Sequence, residues 1–242
     1  MSVVAVITAG GIGRRMTLGD IPKQFVEVDG CPVIIHTLRV FDDHPMVDGI
    51  VISCLAGYIP ELDKMIEKFG IMKVIGIVAG GATGQESIYN ALVHVESGYP
   101  SDTIVMIHDA VRPLIHPETI TGNIESVRAY GSAVTSSLVA ETVVTVAADE
   151  YVDDQIDRGK TRLARAPQGF LLEALLECHR LARAEGRDDY IDSCSLALAY
   201  GLGVRLVEGP PENIKLTTLI DLEVFAAIQS KRSRGLVDRA YE

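Results

Sequence analysis

The sequence predicts an α/β fold, a mostly parallel twisted sheet covered by helices on both faces. Three observations predict it. Short Val/Ile-rich runs of strand character recur at residues 3–7, 49–54, 74–78, 103–107, 133–139 and 204–207. Helix-like segments lie between several of them, at 32–41, 60–69, 85–95 and 118–129, which is the pattern of repeated βαβ units. The strand runs are apolar along their whole length rather than alternating, as strands buried on both faces must be.

Taken in order, the first strand runs straight into a glycine loop, Ala9-Gly10-Gly11-Ile12-Gly13-Arg14-Arg15-Met16, followed by Pro22-Lys23-Gln24-Phe25. A second glycine loop, Gly80-Gly81-Ala82-Thr83-Gly84, follows the strand at 74–78 and leads into a helix. The strand at 103–107 ends in His108-Asp109. In a parallel sheet, ligands gather at the carboxyl ends of the strands, so the first loop and Asp109 are expected at one crevice. Residues 141–165 break the pattern: 141–146 alternate polar and apolar, and 147–154 are small and acidic. This stretch reads as a hairpin-like excursion whose apolar side needs a packing partner, with a second subunit as the candidate. An amphipathic helix follows at 171–184. With no repeat, low-complexity tract or linker, residues 1–242 are read as one domain carrying an arm at about 137–165.

Composition bounds the function. Hydrophobic residues make up 48% and charged residues 23%, within the ordinary globular range. The formal net charge of −11 argues against general nucleic-acid binding, which needs a basic face. No stretch approaches the roughly 20 apolar residues of a membrane span, and the N-terminus lacks a signal peptide's basic segment and apolar core. Cys31, Cys54, Cys178 and Cys194 are widely spaced with no CxxC pair, so reduced thiols in a cytoplasmic enzyme are expected.

Four constellations can carry chemistry. Glycines let backbone N–H groups approach a polyanion closely, and Arg15 and Lys23 add fixed positive charge, so the first loop reads as a phosphate cradle. It is neither a dinucleotide fingerprint, since Met16 stands at the third glycine position, nor a P-loop, which ends in Gly-Lys-Ser/Thr. The glycines alone are equally consistent with a tight strand-to-helix turn. Asp109 at a strand end can accept from ribose hydroxyls or orient a metal-bound water; its bland alternative is a helix cap paired with Arg112. His108 reads as a packed core histidine. In 213–217 a period of two puts Asn213, Lys215 and Thr217 on one side of a strand-like run, a grip for an anion, with a solvated strand edge as the alternative. The second glycine loop, with Ser87, offers a helix N-terminus to an anion or a base edge. Together the four describe a nucleotide pocket.

The motifs Ala9-Gly10-Gly11-x-Gly13-x-Arg15-Met16, Pro22-Lys23-Gln24-Phe25, Gly80-Gly81 with Ser87, His108-Asp109-Ala110-x-Arg112-Pro113, Ala166-Pro167-Gln168-x-Phe170 and Asn213-Ile214-Lys215-x-Thr217 run in order along nearly the whole chain. In this they resemble the polyol-phosphate cytidylyltransferases. The resemblance implies a Rossmann-like nucleotidyltransferase fold, a homodimer joined through an extended β-arm, and transfer of the cytidylyl group of CTP to a polyol phosphate with release of pyrophosphate. It implies catalytic cations at Arg15, Lys23 and Lys215. Ala9, Gly10, Gly11, Gly13, Gly81, Ser87, Asp109 and Ala110 would bind the nucleotide. Arg112, with Thr142 and Arg158 reaching in from the neighbouring subunit, would bind the polyol phosphate. Mg²⁺ or another divalent cation would arrive on the nucleotide, with Asp109 as its possible contact and no direct protein cage.

Several positions depart from the family's pattern. Gly84 replaces an arginine, Glu141 an aspartate, Arg165-Ala166-Pro167-Gln168 the usual Gln-Thr-Pro-Gln, and Ile191-Asp192-Ser193 a Thr-Asp pair. Three of these fall around the arm and the polyol side, where the substrate would be read. The triplet Ala9-Gly10-Gly11, Val111 and Lys215-Leu216-Thr217-Thr218 are closer to the branch acting on D-ribitol 5-phosphate than to that acting on 2-C-methyl-D-erythritol 4-phosphate. A silent nucleotide-binding protein, and an NAD(P)-dependent reductase lacking its third glycine and Tyr–Lys pair, are the remaining readings.

Overall fold

The computed structural model describes residues 1–11 and 21–233. In chain order its elements are β1 (Val3–Ala9), β2 (Glu27–Val28), β3 (Cys31–Pro32), α1 (Val33–Asp42), β4 (Gly49–Cys54), α2 (Ile59–Phe69), β5 (Val74–Ala79), α3 (Gly84–Glu96) and β6 (Ile104–Asp109). They continue with α4 (Pro117–Tyr130), β7 (Ser132–Leu138), β8 (Val144–Val146), β9 (Val152–Gln155), β10 (Arg162–Leu171), α5 (Leu172–Ala184), α6 (Ser193–Ala199), β11 (Leu206–Glu208) and α7 (Leu219–Ser233). Seven strands form one sheet in the order β11-β7-β10-β6-β1-β4-β5. Every pairing is parallel except the two made by β10, which runs antiparallel between β6 and β7.

The strand pleat divides the core into two layers. Val3, Ala5 and Ile7 of β1 face one way, onto Ile34, Ile35, Leu38 and Phe41 of α1, Leu62 of α2 and Ile120 and Ile124 of α4. Val4 and Val6 face the other way, onto Ala91 and Leu92 of α3, Leu175 and Leu176 of α5 and Leu196 of α6. The uninterrupted apolar runs are therefore explained: both faces of these strands are covered by helices. A third, smaller cluster joins Val33, Val111, Leu114, Leu216 and Phe225, and so pins α7 and the chain before it beside the end of β6.

Two expectations are corrected. The pattern of 141–165 predicts an excursion along its whole length, but the sheet is re-entered at Arg162, and β10 is a central strand. Its Gly169 is a packing requirement, because a Cβ there would meet Val127 Cγ2 of α4 at 2.8 Å. Residues 213–217 are not a strand. Asn213 is fully buried and Lys215 exposed, so the expected shared face does not exist. The chain here is held by Leu216, whose N–H donates to the Val111 carbonyl at 2.9 Å. β8 and β9 do form a small antiparallel hairpin, and Val144, Val146, Tyr151 and Val152 on it are exposed. Among the described residues, no helix is long and apolar enough to cross a membrane. All four cysteines are unpaired.

Candidate active site

The carboxyl ends of β1 and β6, the second glycine loop and the start of α6 enclose a cleft of about 840 Å³. Of the residues singled out from sequence, Ala9, Gly10, Gly11, Lys23, Gly81, Ser87, Asp109, Ala110, Arg112 and Lys215 line it. Gly13 and Arg15 lie outside the described residues. Thr142 and Arg158 are exposed on the excursion, outside the lining of this chain's own cleft. There Arg158 Nη1 donates to the Ala140 carbonyl at 2.9 Å.

One wall is backbone brought close to backbone. Ser87 Oγ donates to the Thr83 carbonyl at 2.8 Å and accepts from the Gly81 N–H at 3.0 Å. A Cβ on Gly10 or on Gly80 would come to 3.1 Å from that hydroxyl, so the absence of side chains there eases the close approach of the two glycine loops. Thr83 caps α3 through the Glu86 N–H at 3.1 Å. The Glu86 carboxylate folds back onto the Ala82 N–H at 2.7 Å, and a Cβ on Gly81 would collide with it. The buried Gln24 amide donates to the Ala9 and Gly11 carbonyls at 2.8 and 3.3 Å, which fixes the first loop relative to Lys23 beside it.

The opposite wall is built on charge. Asp109 ends β6, where its Oδ1 accepts from Lys215 Nζ at 2.7 Å and its Oδ2 from Arg112 Nε at 2.8 Å. Burial alone would raise this carboxyl's pKa, but the two cations outweigh it and hold it well below the usual carboxylate range. The bland alternative for Asp109, a helix cap paired with Arg112, holds only in its second half: the Arg112 pair is present, but α4 starts at Pro117 with His116 as its N-cap. Asn213 knits the wall together. Its carbonyl accepts from Arg112 Nη1 at 3.0 Å and from Arg165 Nη1 at 2.9 Å, while its side-chain amide donates to the Ala166 carbonyl at 2.7 Å. Lys215, two residues on, is thereby carried to the cleft.

Arg165, Gln168 and Asp192 line the cleft without having been picked out as site residues. Gln168 donates to Asp192 Oδ2 at 2.9 Å and accepts from the Cys194 N–H at 2.9 Å. Asp192 also forms the capping box of α6, so it serves first as a structural acceptor. The sequence signal for these residues was the set of departures around 165–168 and 191–193. Among the described residues, no group of three or more His, Cys, Asp or Glu side chains is placed to hold a metal ion. A cleft with cations on one wall and closely packed glycine loops on the other suits a phosphorylated nucleotide meeting a second anion.

Residues 3–231 match the IspD family model, 2-C-methyl-D-erythritol 4-phosphate cytidylyltransferase. The chain belongs to this family. It is a CTP-dependent cytidylyltransferase of the polyol-phosphate class. It is 48% identical over 225 residues to a ribitol-5-phosphate cytidylyltransferase of Vibrio parahaemolyticus, covering 93% of this chain and 94% of that one. To a 2-C-methyl-D-erythritol 4-phosphate cytidylyltransferase of Acidobacterium capsulatum it is 36% identical over 240 residues, covering 96% and 99%. The fold matches the crystal structure of 2-C-methyl-D-erythritol 4-phosphate cytidylyltransferase from Francisella tularensis with a TM-score of 0.79 at 27% identity, covering 95% of this chain and all of that one.

Within this cytidylyltransferase, His108 is neutral and its one ring proton is already engaged. It is buried, its Nε2–H donates to the Arg112 carbonyl at 3.1 Å, and its Nδ1 finds no partner among the described residues. Burial, with smaller help from the charges of Arg112 and Lys215, outweighs the Arg112 carbonyl and Asp109 and pushes its pKa down from 6.5 to about 4. The folded protein therefore binds fewer protons here than the unfolded chain between those values. Stability from this site is whole above pH 6.5 and is lost as pH falls toward about 4. NMR of the His108 ring should show a midpoint near 4. A midpoint near 6.5 would contradict the packed environment described.

Proposed function

We propose that this enzyme transfers the cytidylyl group of CTP to D-ribitol 5-phosphate, giving CDP-ribitol and pyrophosphate. The single observation that carries the chemistry is the Asp109 carboxylate joining Lys215 and Arg112 on one side of the cleft that Lys23 and the glycine loops line on the other. The 48% identity to a ribitol-5-phosphate enzyme, against 36% to a methylerythritol-phosphate enzyme, supports the substrate.

The nucleophile is already an ionised phosphate monoester, so no general base is needed, in keeping with a His108 that stays neutral. A phosphate oxygen of the polyol phosphate attacks the α-phosphorus of CTP. The new P–O bond forms as the bond to the β-phosphate breaks, and pyrophosphate leaves with the electron pair. What the protein must supply is positioning of two anions and positive charge aimed at the transition state. Lys23, and Arg15 on the first loop, would face the triphosphate. Lys215 would sit between the α-phosphate and the incoming phosphate. Ala9, Gly10, Gly11, Gly13, Gly81, Ser87 and Ala110 would hold base, ribose and phosphates through backbone and hydroxyl contacts, with Asp109 near the ribose. Arg112 would address the polyol phosphate, together with Thr142 and Arg158 of a neighbouring subunit. Mg²⁺ would enter on the triphosphate and neutralise its oxygens. Asp109 is the carboxylate here that suits it, although Lys215 and Arg112 already engage both its oxygens.

Pyrophosphate release from CTP should be fast with D-ribitol 5-phosphate and much slower with 2-C-methyl-D-erythritol 4-phosphate; the reverse order would reassign the substrate. Lys23→Ala and Lys215→Ala should each lower turnover by at least tenfold, on the order of 10²–10³ for a cation aimed at the transition state, without unfolding the protein. Near-normal turnover in either variant would remove that lysine from the mechanism.

The enzyme is also proposed to be a homodimer joined through the arm at about 137–165 of a single domain. The exposed Leu138, Val146, Tyr151, Val152 and Leu163 support this, because a hairpin with so little core of its own gains by burying them against a second copy. Sedimentation should read twice the mass of one chain, and Val146→Asp with Val152→Asp should return the single-chain mass. A wild-type protein that sediments as one chain at micromolar concentration would contradict the pairing.

A further inference from the structure

Arg165 is spent on contacts that do not need its charge. Its Nη1 donates to two backbone carbonyls, Pro211 at 3.0 Å and Asn213 at 2.9 Å, and among the described residues no carboxylate lies within ion-pairing distance of it. The acid that attracts it most, Glu212, is bound instead through Oε1 to His116 Nε2 at 3.0 Å. Arg112 donates to the same Asn213 carbonyl at 3.0 Å, so two guanidinium groups converge on one oxygen. Half-burial, followed by repulsion from Arg112, lowers the pKa of Arg165. Lys215 lines the same cleft, and among the described residues Asp109 is the one carboxylate paired with it and with Arg112.

The backbone that carries Arg165 is held as firmly as a site residue requires. The β10–β7 ladder breaks between Ala164 and Gln168, so residues 165–167 leave the strand pairing. Their carbonyls are then taken up from the side: Ala166 by the Asn213 amide at 2.7 Å and Pro167 by the buried Thr135 hydroxyl at 2.8 Å. Two like charges pressed together on a fixed scaffold lower stability unless an anion bridges them, and such arrangements persist where a ligand supplies that anion.

We propose that Arg165, side by side with Arg112, forms an anion subsite that binds the phosphate of the second substrate and selects phosphorylated polyols. This rests on the cytidylyl-transfer reading and adds to it a residue of this chain's own cleft wall. Among the described residues Nε and Nη2 of Arg165 make no hydrogen bond, which leaves them to grip phosphate oxygens while Nη1 keeps its carbonyls, a geometry suited to a planar fork.

The test separates this role from a merely structural one. Arg165→Gln keeps an amide donor for the carbonyls and removes the charge; Arg165→Lys keeps the charge and loses the fork. With D-ribitol 5-phosphate and CTP, Arg165→Gln should raise KM for the polyol phosphate at least tenfold while KM for CTP stays within twofold. Arg165→Lys should fall between Arg165→Gln and wild type. Calorimetric titration of inorganic phosphate into the CTP-bound enzyme should show at least tenfold weaker binding in Arg165→Gln, whatever polyol is turned over. Unchanged phosphate affinity in Arg165→Gln would overturn the subsite. So would a rise in KM for CTP instead, which would assign the anion to the nucleotide. A wild-type enzyme inert toward both polyol phosphates would overturn the proposed substrate, while the phosphate titration would still decide Arg165.

Discussion

One carboxylate holding two cations is the constraint on which the rest of the site depends. Asp109 is fixed at the end of a buried strand, and it draws Lys215 from 106 positions away and Arg112 from three. Its charge is secured by the pairs it makes, since both neighbours keep its pKa far below neutrality. In return it holds the lysine and arginine in the cleft rather than letting them extend into solvent. Losing this carboxylate would leave Arg112 half-buried beside Arg165 with no counterion, a costly arrangement.

The pairs would be useless without the backbone that presents them. Leu216 sits in the small cluster with Val111 and Phe225, and Asn213 is fully buried between the end of β6 and the break in β10. Lys215 lies between these two anchors, so its position is set by a buried residue on either side. On the facing wall, Ser87 and Gln24 do the equivalent work through hydrogen bonds to the two glycine loops. For a reaction that joins two anions, such preorganised charge and amide donors outweigh acid–base chemistry. A neutral, fully packed His108 at the heart of the wall is consistent with that economy.

Much of this was legible in the sequence because it rests on local signals. Unbroken Val/Ile runs marked the parallel strands, and the two glycine loops marked the walls of one nucleotide pocket. What escaped depends on distant partners. β10 carries two arginines, a proline and a glycine, which argue against a central strand; it becomes one only because α4 covers Gly169 closely and β6 and β7 flank it. The 213–217 segment looked like an alternating strand, but Asn213 is buried by hydrogen bonds to Ala166, Arg112 and Arg165, which no periodicity encodes. Arg165 showed itself only as an unusual residue; its closeness to Arg112 appears once the chain is folded. Arg15, the cation that stood out most in the first loop, falls outside the described residues.

The most direct test of the central claim is a crystal structure with D-ribitol 5-phosphate and an unreactive CTP analogue bound together. Both phosphate groups should lie in the cleft between the glycine loops and the Asp109 wall. Lys215 Nζ should be within hydrogen-bond distance of an α-phosphate oxygen, having moved from its present 2.7 Å contact with Asp109. Phosphates bound elsewhere, or a Lys215 still engaged by Asp109 alone, would contradict the account.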